Sequence, residues 1–396
     1  MAQTSQYRII QPGSTIGILG GGQLGRMMAL AAREMGYRIA CLDPQTDSPC
    51  GQVADFAYTG AFDDIETALE MAQHCDVITY EFENVDDAMV EALQQKHYLP
   101  QGKDILAITR HRIREKSTLA SLGIPVAPFR PVQTLSQLNE ALAELGTPAV
   151  LKTALGGYDG KGQAVIRTPE EAPAAWERLS ALCPELILEQ WIPFDKEISV
   201  IAARGTNGEV RCFPPAENIH QNGILRLSMA PARISPALQE EAERLARAIA
   251  EGMNVYGLIA VEMFVTQEER LLVNELAPRP HNSGHYTQEA CVTSQFEQHV
   301  RAICGLPLGS ARLMSPVVML NLLGDEPEKV LQHWPVYPTE AKLHLYGKKE
   351  ARPGRKMGHI NVLAPSLEEA LETVLLYAEK LSIPLPPVAK TETCHG

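Results

Sequence analysis

Two glutamates set in apolar runs are the residues whose spacing bears most directly on chemistry. Glu262 stands in Leu258-Ile259-Ala260-Val261-Glu262-Met263-Phe264-Val265, and Glu275 in Leu271-Leu272-Val273-Asn274-Glu275-Leu276. If these runs form a hairpin about a turn at Gln267 to Glu269, the two carboxylates face each other on one side of it. Like charges directly opposite on apolar strands are unfavourable without a counter-ion. A hard divalent cation such as Mg²⁺ resolves the conflict, taking one or two carboxylates and filling its other positions with phosphate oxygens and water. The alternative is that one glutamate is solvated or shares a proton. Asn274 alternates to the other face of a regular strand, so a ligand role for it requires a local kink.

A second segment offers the phosphate. In Lys152-Thr153-Ala154-Leu155-Gly156-Gly157-Tyr158-Asp159-Gly160-Lys161-Gly162-Gln163, the glycines allow backbone N–H groups to fold around an oxyanion. Lys152 ends the preceding strand and Lys161 sits in the loop, so cationic heads reach a phosphate from two directions. The spacing is not that of a Walker A loop, and a strand follows it rather than a helix; a plain flexible hairpin is the other reading. Downstream, Glu189-Gln190-Trp191-Ile192 joins an apolar strand to a turn, and Glu197 opens the next strand. Free backbone donors and acceptors beside apolar side chains suit the edge of an adenine, and a nearby carboxylate suits ribose hydroxyls, though an ordinary hairpin has the same appearance.

Gly20-Gly21-Gly22-Gln23-Leu24-Gly25 competes with that segment, because it satisfies G-x-G-x-x-G between a strand and a helix, with Asp43 closing the second strand. Alone it predicts a dinucleotide site. It could equally make a tight packing turn, or hold another anion such as a substrate phosphate at the helix N-terminus.

Near the end, Gly347-Lys348-Lys349-Glu350-Ala351-Arg352-Pro353-Gly354-Arg355-Lys356-Met357-Gly358-His359 concentrates positive charge in a chain of formal net charge -13. It is either a solvated basic loop or a phosphate grip. Arg279-Pro280-His281-Asn282-Ser283-Gly284-His285 follows Glu275 closely enough to line the space beyond a metal-bound phosphate, unless it only hydrogen-bonds itself. Glu81 and Glu83 are weaker candidates for substrate contacts.

These residues need elements to hold them. Thr15 to Leu19, a helix with Leu24, Met28, Ala31 and Met35 on one stripe, and Tyr37 to Leu42 form a βαβ unit, and Asp76 to Tyr80 adds a strand to a parallel sheet. From Ala149 the chain reads as paired β segments: 149–153 with 163–167, 186–190 with 197–202, and 258–265 with 271–276. Ser235 caps a helix that begins with Pro236 and buries Leu238, Ala242, Leu245 and Ile249. Ser366-x-x-Glu369 opens a final helix. At 396 residues, two or three domains are expected. We place them at 1–110, 111–310 and 311–396. The acidic charge disfavours nucleic acid or an anionic membrane as partner. Eight cysteines without a C-x-x-C pair read as reduced core residues. With no signal-like leader and no membrane-length apolar run, a cytoplasmic location is expected.

Taken in order, the K…GGYDGKGQ loop, the E-Q-W-I hinge followed by a glutamate, and the acids of V-E-M-F and V-N-E-L-A-P-R-P-H-N-S-G-H resemble ATP-grasp ligases. G-G-G-Q-L-G-R-M, E-N-I-H-Q-N-G-I-L and G-R-K-M-G-H narrow the likeness to the N5-carboxyaminoimidazole ribonucleotide synthetase family. The resemblance runs from Gly17 to His359. It implies an α/β ATP-grasp fold between a Rossmann-like N-terminal domain and a C-terminal α+β domain. It implies ATP contacts from Arg112, Lys152, Gly157, Tyr158, Asp159, Gly160, Lys161, Gly162, Gln163, Glu189, Gln190, Trp191, Ile192, Glu197, His220, Asn274 and Glu275. Mg²⁺ would lie on Glu262 and Glu275. The acceptor, 5-aminoimidazole ribonucleotide, would meet Gly22, Gln23, Leu24, Glu81, Arg279, His281, Asn282 and Ser283, with its phosphate on Lys348, Arg355 and Lys356. Lys161 would stabilise transferring charge, while His281 and His285 are candidates for the amine's proton. Bicarbonate is the co-substrate and a homodimer the expected assembly. Ala154-Leu155 departs from the family, which often has polar or basic residues there. Another carboxylating ATP-grasp ligase (formate- or biotin-linked), an NAD-dependent oxidoreductase and a non-catalytic nucleotide sensor are the rival readings.

Overall fold

The computed structural model describes residues 8–156 and 162–388. Four parallel strands, β1 (Thr15–Leu19), β2 (Arg38–Asp43), β3 (Phe56–Thr59) and β4 (Val77–Tyr80), form the first sheet in the order β3-β2-β1-β4. β1 and β4 are buried throughout, as suits strands covered on both faces. The helix Gln23–Glu34 packs Leu24, Met27 and Met28 against Ile16, Ile18 and Ile39.

The second sheet is small and antiparallel: β5 (Phe129–Val132), β6 (Ala149–Thr153), β7 (Gln163–Ile166) and β8 (Leu186–Gln190), ordered β5-β8-β6-β7. The third has nine strands: β9 (Phe194–Arg204), β10 (Val210–Cys212), β11 (Ala216–Gln221), β12 (Ile224–Ala230), β13 (Gly257–Thr266), β14 (Leu271–Ala277), β15 (Val317–Leu323), β16 (Ala341–Leu345) and β17 (Lys356–Leu363). Its path is β14-β13-β9-β11-β12-β15-β17-β16, with β10 on β9. The pairing of β12 with β15 carries one sheet across residue 310, so the C-terminal strands extend the central sheet.

Alternation assigns the faces of this sheet. Ile198, Val200, Ile259 and Val261 pack under the helix Pro236–Gly252, against Leu238, Ala242, Leu245 and Ile249. That helix starts as its sequence predicts, with Ser235 Oγ accepting from Leu238 N–H. On the other face, Ile201, Ala203, Leu258 and Ala260 meet Tyr286 and Ala302. Further along this face the side chains turn polar, and the site lies there.

One reading of the paired segments changes. β8 and β9 do not form a hairpin: β8 pairs with β5 and β6, β9 with β11 and β13, and residues between them cross from one sheet to the other. A crossover and a hairpin have the same local pattern of strand, turn and strand, so only the pairing partners distinguish them. The seven described cysteines are all free, and no helix among the described residues is long and apolar enough to cross a membrane.

Candidate active site

β13 and β14 form the expected hairpin, and Glu262 stands opposite Glu275 in its register. Directly behind this pair the register slips: Met263 pairs with Val273, which leaves Asn274 as the extra residue of a bulge. The kink needed to bring Asn274 towards the carboxylate face is therefore present.

Without a cation, the two acids are neutralised differently. Arg112 Nη1 lies 3.4 Å from Glu275 Oε2. The Glu262 carboxyl is pushed up to about 8, first by burial and then by the charge of Glu275. His281 Nε2 is 3.4 Å from Glu262 Oε1. Burial and the nearby cations Arg279 and Lys356 hold His281 well below the usual imidazole range. Among the described residues no group of three or more His, Cys, Asp or Glu could hold a metal. Two carboxylates with a phosphate still suffice for a hard cation, and such an ion would let Glu262 ionise beside Glu275.

The small sheet brings a second set. Lys152 Nζ donates to Glu189 Oε2 at 2.9 Å, joining adjacent strands, and Lys116 Nζ lies 3.7 Å from the same oxygen. Although burial opposes it, these two lysines hold Glu189 down to about 2. Glu189 Oε1 is buried with no partner among the described residues. Lys152 pairs with Gln163, so the glycine segment links β6 to β7 with Gly162 at its exit. Gly157, Tyr158, Asp159, Gly160 and Lys161 lie outside the described residues. At the crossover, Gln190 N–H donates to Pro128 O (2.9 Å) and Trp191 N–H to Pro148 O (3.3 Å). These two donors are therefore not free, as the sequence suggested, because β8 continues its pairing to its last residues. Trp191 is exposed and Ile192 half-buried. On the large sheet, His220 Nδ1 and Glu197 Oε2 are 2.8 Å apart, and this contact raises the His220 pKa against the effect of burial.

The glycine loop at the first helix is filled from within the chain. Glu81 accepts from the N–H groups of Gly22 and Gly25, and Asp43 Oδ2 accepts from Gly21 N–H at 2.7 Å. A Cβ at Gly22 would lie 2.5 Å from Glu81 Oε1, so glycine here makes room for an internal carboxylate. Gln23 and Leu24 open the helix, the latter with its side chain in the core. The basic segment docks beside this loop. Gln52 Nε2 donates to Gly347 O at 2.9 Å, and Lys349 pairs with Asp47 at 3.1 Å. Lys348 Nζ donates to Lys356 O at 2.8 Å. Burial and then Arg355 lower Lys348 to about 8, with Glu81 opposing them. Lys356 acts on the ionisation of Glu262, so one basic segment borders both the glycine loop and the carboxylate pair.

Arg279 is bound by Glu83 of the first domain through two nitrogens, and, although burial opposes it, this guanidinium lowers the Glu83 carboxyl. Asn282 is buried with both side-chain polar atoms unpartnered among the described residues. Ser283 is fully buried and holds His281 Nδ1 at 2.8 Å. His285 is fully buried, its Nδ1 meets Gln295 Nε2 at 3.1 Å, and its ring packs on His359 and Phe296.

Sequence reasoning missed Glu115 and Lys116. Glu115 accepts from Leu276 N–H at 3.2 Å, and Lys116 donates to Val273 O at 3.2 Å, so both brace the strand carrying Glu275. Two charges inside a short helix that must pack were the available signal. Ser199 and Ser228, single hydroxyls in largely apolar strands, were also passed over, and Asn218 was noticed only as part of the E-N-I-H-Q-N-G-I-L run.

Residues 14–109 match the ribonucleotide synthetase preATP-grasp domain, 117–296 the ATP-grasp domain, and 317–373 the phosphoribosylaminoimidazole carboxylase C-terminal domain. The chain is 52% identical over 369 residues to N5-carboxyaminoimidazole ribonucleotide synthase of Bacillus subtilis (strain 168), covering 93% of this chain and 96% of that one. Its fold superposes with a TM-score of 0.91 on the ADP complex of an N5-carboxyaminoimidazole ribonucleotide synthetase that is 52% identical, over 96% of this chain and 98% of the other. An Aspergillus clavatus N5-carboxyaminoimidazole synthase in complex with ADP and 5-aminoimidazole ribonucleotide gives a TM-score of 0.85 at 32% identity, over 95% of this chain and 100% of that one. With these domain matches in order along the chain and a relative of 52% identity over nearly its whole length, the chain belongs to the N5-carboxyaminoimidazole ribonucleotide synthase family of ATP-grasp ligases.

Proposed function

We propose that this protein uses ATP and bicarbonate to carboxylate the amine of 5-aminoimidazole ribonucleotide, giving the N5-carboxyamino product of purine biosynthesis. The observation that carries the reading is the facing pair Glu262 and Glu275, set between the Lys152–Glu189 arm and the basic segment at Lys348 to Lys356. A bicarbonate oxygen attacks the γ-phosphorus of ATP, the bond to the β-phosphate oxygen breaks, and carboxyphosphate and ADP result. The amine nitrogen then bonds to the carboxyl carbon, directly or after release of CO₂; phosphate leaves and the nitrogen loses a proton.

Glu262 and Glu275 would hold Mg²⁺, which neutralises charge on the transferring phosphoryl group. The chain's own residues bind and orient. Lys152, Glu189 and Glu197 take the nucleotide, Lys161 supports the phosphoryl oxygens, and Asn282 offers donor and acceptor atoms to the bicarbonate or amine. Lys348, Arg355 and Lys356 grip the ribonucleotide phosphate. Enclosure of the site protects an intermediate that water would hydrolyse. All three substrates are water-soluble anions, in keeping with a cytoplasmic enzyme. The family likeness supports a homodimer, which sedimentation velocity tests.

ADP release should require both bicarbonate and 5-aminoimidazole ribonucleotide, with label from ¹³C-bicarbonate appearing on the amine. ADP release that ignores the ribonucleotide but responds to a formate- or biotin-linked acceptor overturns the proposal.

A further inference from the structure

The loop bearing His281 is tied to the sheet by a file of buried polar groups. Ser228 Oγ donates to Asn218 Oδ1 at 2.7 Å, and Asn218 Nδ2 donates to Ser199 Oγ at 2.9 Å. Ser199 Oγ donates to Ser283 Oγ at 2.7 Å, and Ser283 Oγ is 2.8 Å from His281 Nδ1. The pairings put these groups on the carboxylate face: Ser228 stands opposite Asn218, and Ser199 opposite Glu262. Ser199, Ser228 and Ser283 are no more than 2% exposed, so no bulk water competes for their protons.

Such a file has a direction. A hydroxyl has one proton to give, and Ser283, already receiving from Ser199, gives its own to His281 Nδ1. The backbone reaches the same result from the other end, where Ser283 N–H points at His281 Nδ1 from 3.4 Å. Two donors aimed at one ring nitrogen require it to be an acceptor. The side chain of Gln295 clamps the backbone on either side of the peptide, accepting from His281 N–H at 2.9 Å and donating to His281 O at 2.7 Å.

We infer that the Ser228–Asn218–Ser199–Ser283 file locks His281 as a neutral imidazole with its proton on Nε2, aimed at Glu262, so that His281 serves the reaction as a hydrogen-bond donor and not as the base for the amine. Ser283 and Ser199 are positioning residues that act through the ring. The donor's task, orienting an oxygen of bicarbonate or carboxyphosphate beside the carboxylate pair, rests on the function proposed above; the tautomer does not.

The test reads the tautomer directly. In ¹⁵N-histidine-labelled protein at neutral pH, the His281 signals, assigned by their loss in His281→Asn, should show a bare Nδ1 and a protonated Nε2. Ser283→Ala should admit the other tautomer and lower kcat about tenfold, as expected for one buried hydrogen bond, with the KM for ATP within about twofold. Ser199→Ala should do the same more weakly, because the Ser283 hydroxyl is then free to turn. Asn218→Asp, which can only accept, draws the Ser199 proton away and should favour Nδ1–H. A protonated Nδ1 in the parent protein, or a Ser283→Ala variant that loses activity with its His281 spectrum unchanged, overturns the inference. Absence of carboxylation with the tautomer as stated would refute the proposed function and leave the lock standing.

Discussion

Glu262 faces Glu275 across the β13–β14 hairpin, and the ladder slips by one residue immediately behind them. The slip leaves Asn274 outside the regular alternation. A bulge thus breaks the regular alternation of two largely apolar strands beside the acidic pair. Glu262→Gln and Glu275→Gln should each lower kcat by at least about a hundredfold, because a metal clamp on a phosphoryl group contributes several kcal/mol to the transition state. Glu262→Gln should keep the parent melting behaviour, since a carboxyl raised to about 8 is already protonated at neutral pH, whereas Glu275→Gln also takes a partner from Arg112. Near-parental turnover by either protein across a Mg²⁺ titration would remove the pair from the mechanism.

The glycine loop yields a prediction of opposite kind. Glu81 already occupies the N–H groups that a dinucleotide pyrophosphate would use. NADH and NADPH should therefore show no saturable binding by fluorescence titration. Gly22→Ala, whose methyl group meets the Glu81 carboxylate, should disturb the acceptor side and raise the ribonucleotide KM more than the ATP KM. Micromolar NADH binding abolished by Gly22→Val would restore the dinucleotide reading.

The contrast between these loops shows how far the sequence could be read. Glu262 and Glu275 are separated by a short turn, so alternation alone placed them opposite each other. Glu81 and Gly22 are 59 positions apart, and no local pattern tells that a carboxylate from one strand end fills a turn at another. The helix at Pro236 was legible because its cap, its proline and its stripe are all local. The β8-to-β9 crossover was not, because the choice of partner strand is made by the whole sheet. For the same reason the polar file behind His281 escaped notice: Ser199, Asn218 and Ser228 lie on three strands, and no local pattern joins them.

A stability prediction comes from the fully buried Arg226. Its two terminal nitrogens each lie 3.0 Å from an oxygen of Glu326, tying β12 to the short helix after β15. Breaking one side of a buried pair leaves the other charge unpartnered, at a cost of about 3–5 kcal/mol. Arg226→Ala should show that loss in urea unfolding, whereas Arg226→Met with Glu326→Leu should recover most of it. Parental stability in Arg226→Ala would mean that the pair is reached by water in solution.

The last prediction concerns the acceptor's phosphate and has its own pH signature. Lys348 is lowered to about 8, by burial first and then by Arg355, so it is charged at neutral pH and loses its charge as pH rises through that value. The free enzyme should accordingly bind the ribonucleotide well below about 8 and progressively less well above it, while the KM for ATP, whose contacts come from other segments, stays nearly level. A bound phosphate dianion favours the ammonium form and moves the fall to higher pH in the complex, so the slope belongs in kcat/KM rather than kcat. Lys348→Arg should flatten the profile, because a guanidinium does not titrate in this range. Arg355→Ala removes a planar donor and should raise the ribonucleotide KM by one to two orders of magnitude, in line with the ~1.5–3 kcal/mol of a charge-assisted hydrogen bond. If both substitutions weaken ATP and leave the ribonucleotide KM where it was, the basic segment serves the nucleotide and the acceptor phosphate must be held elsewhere.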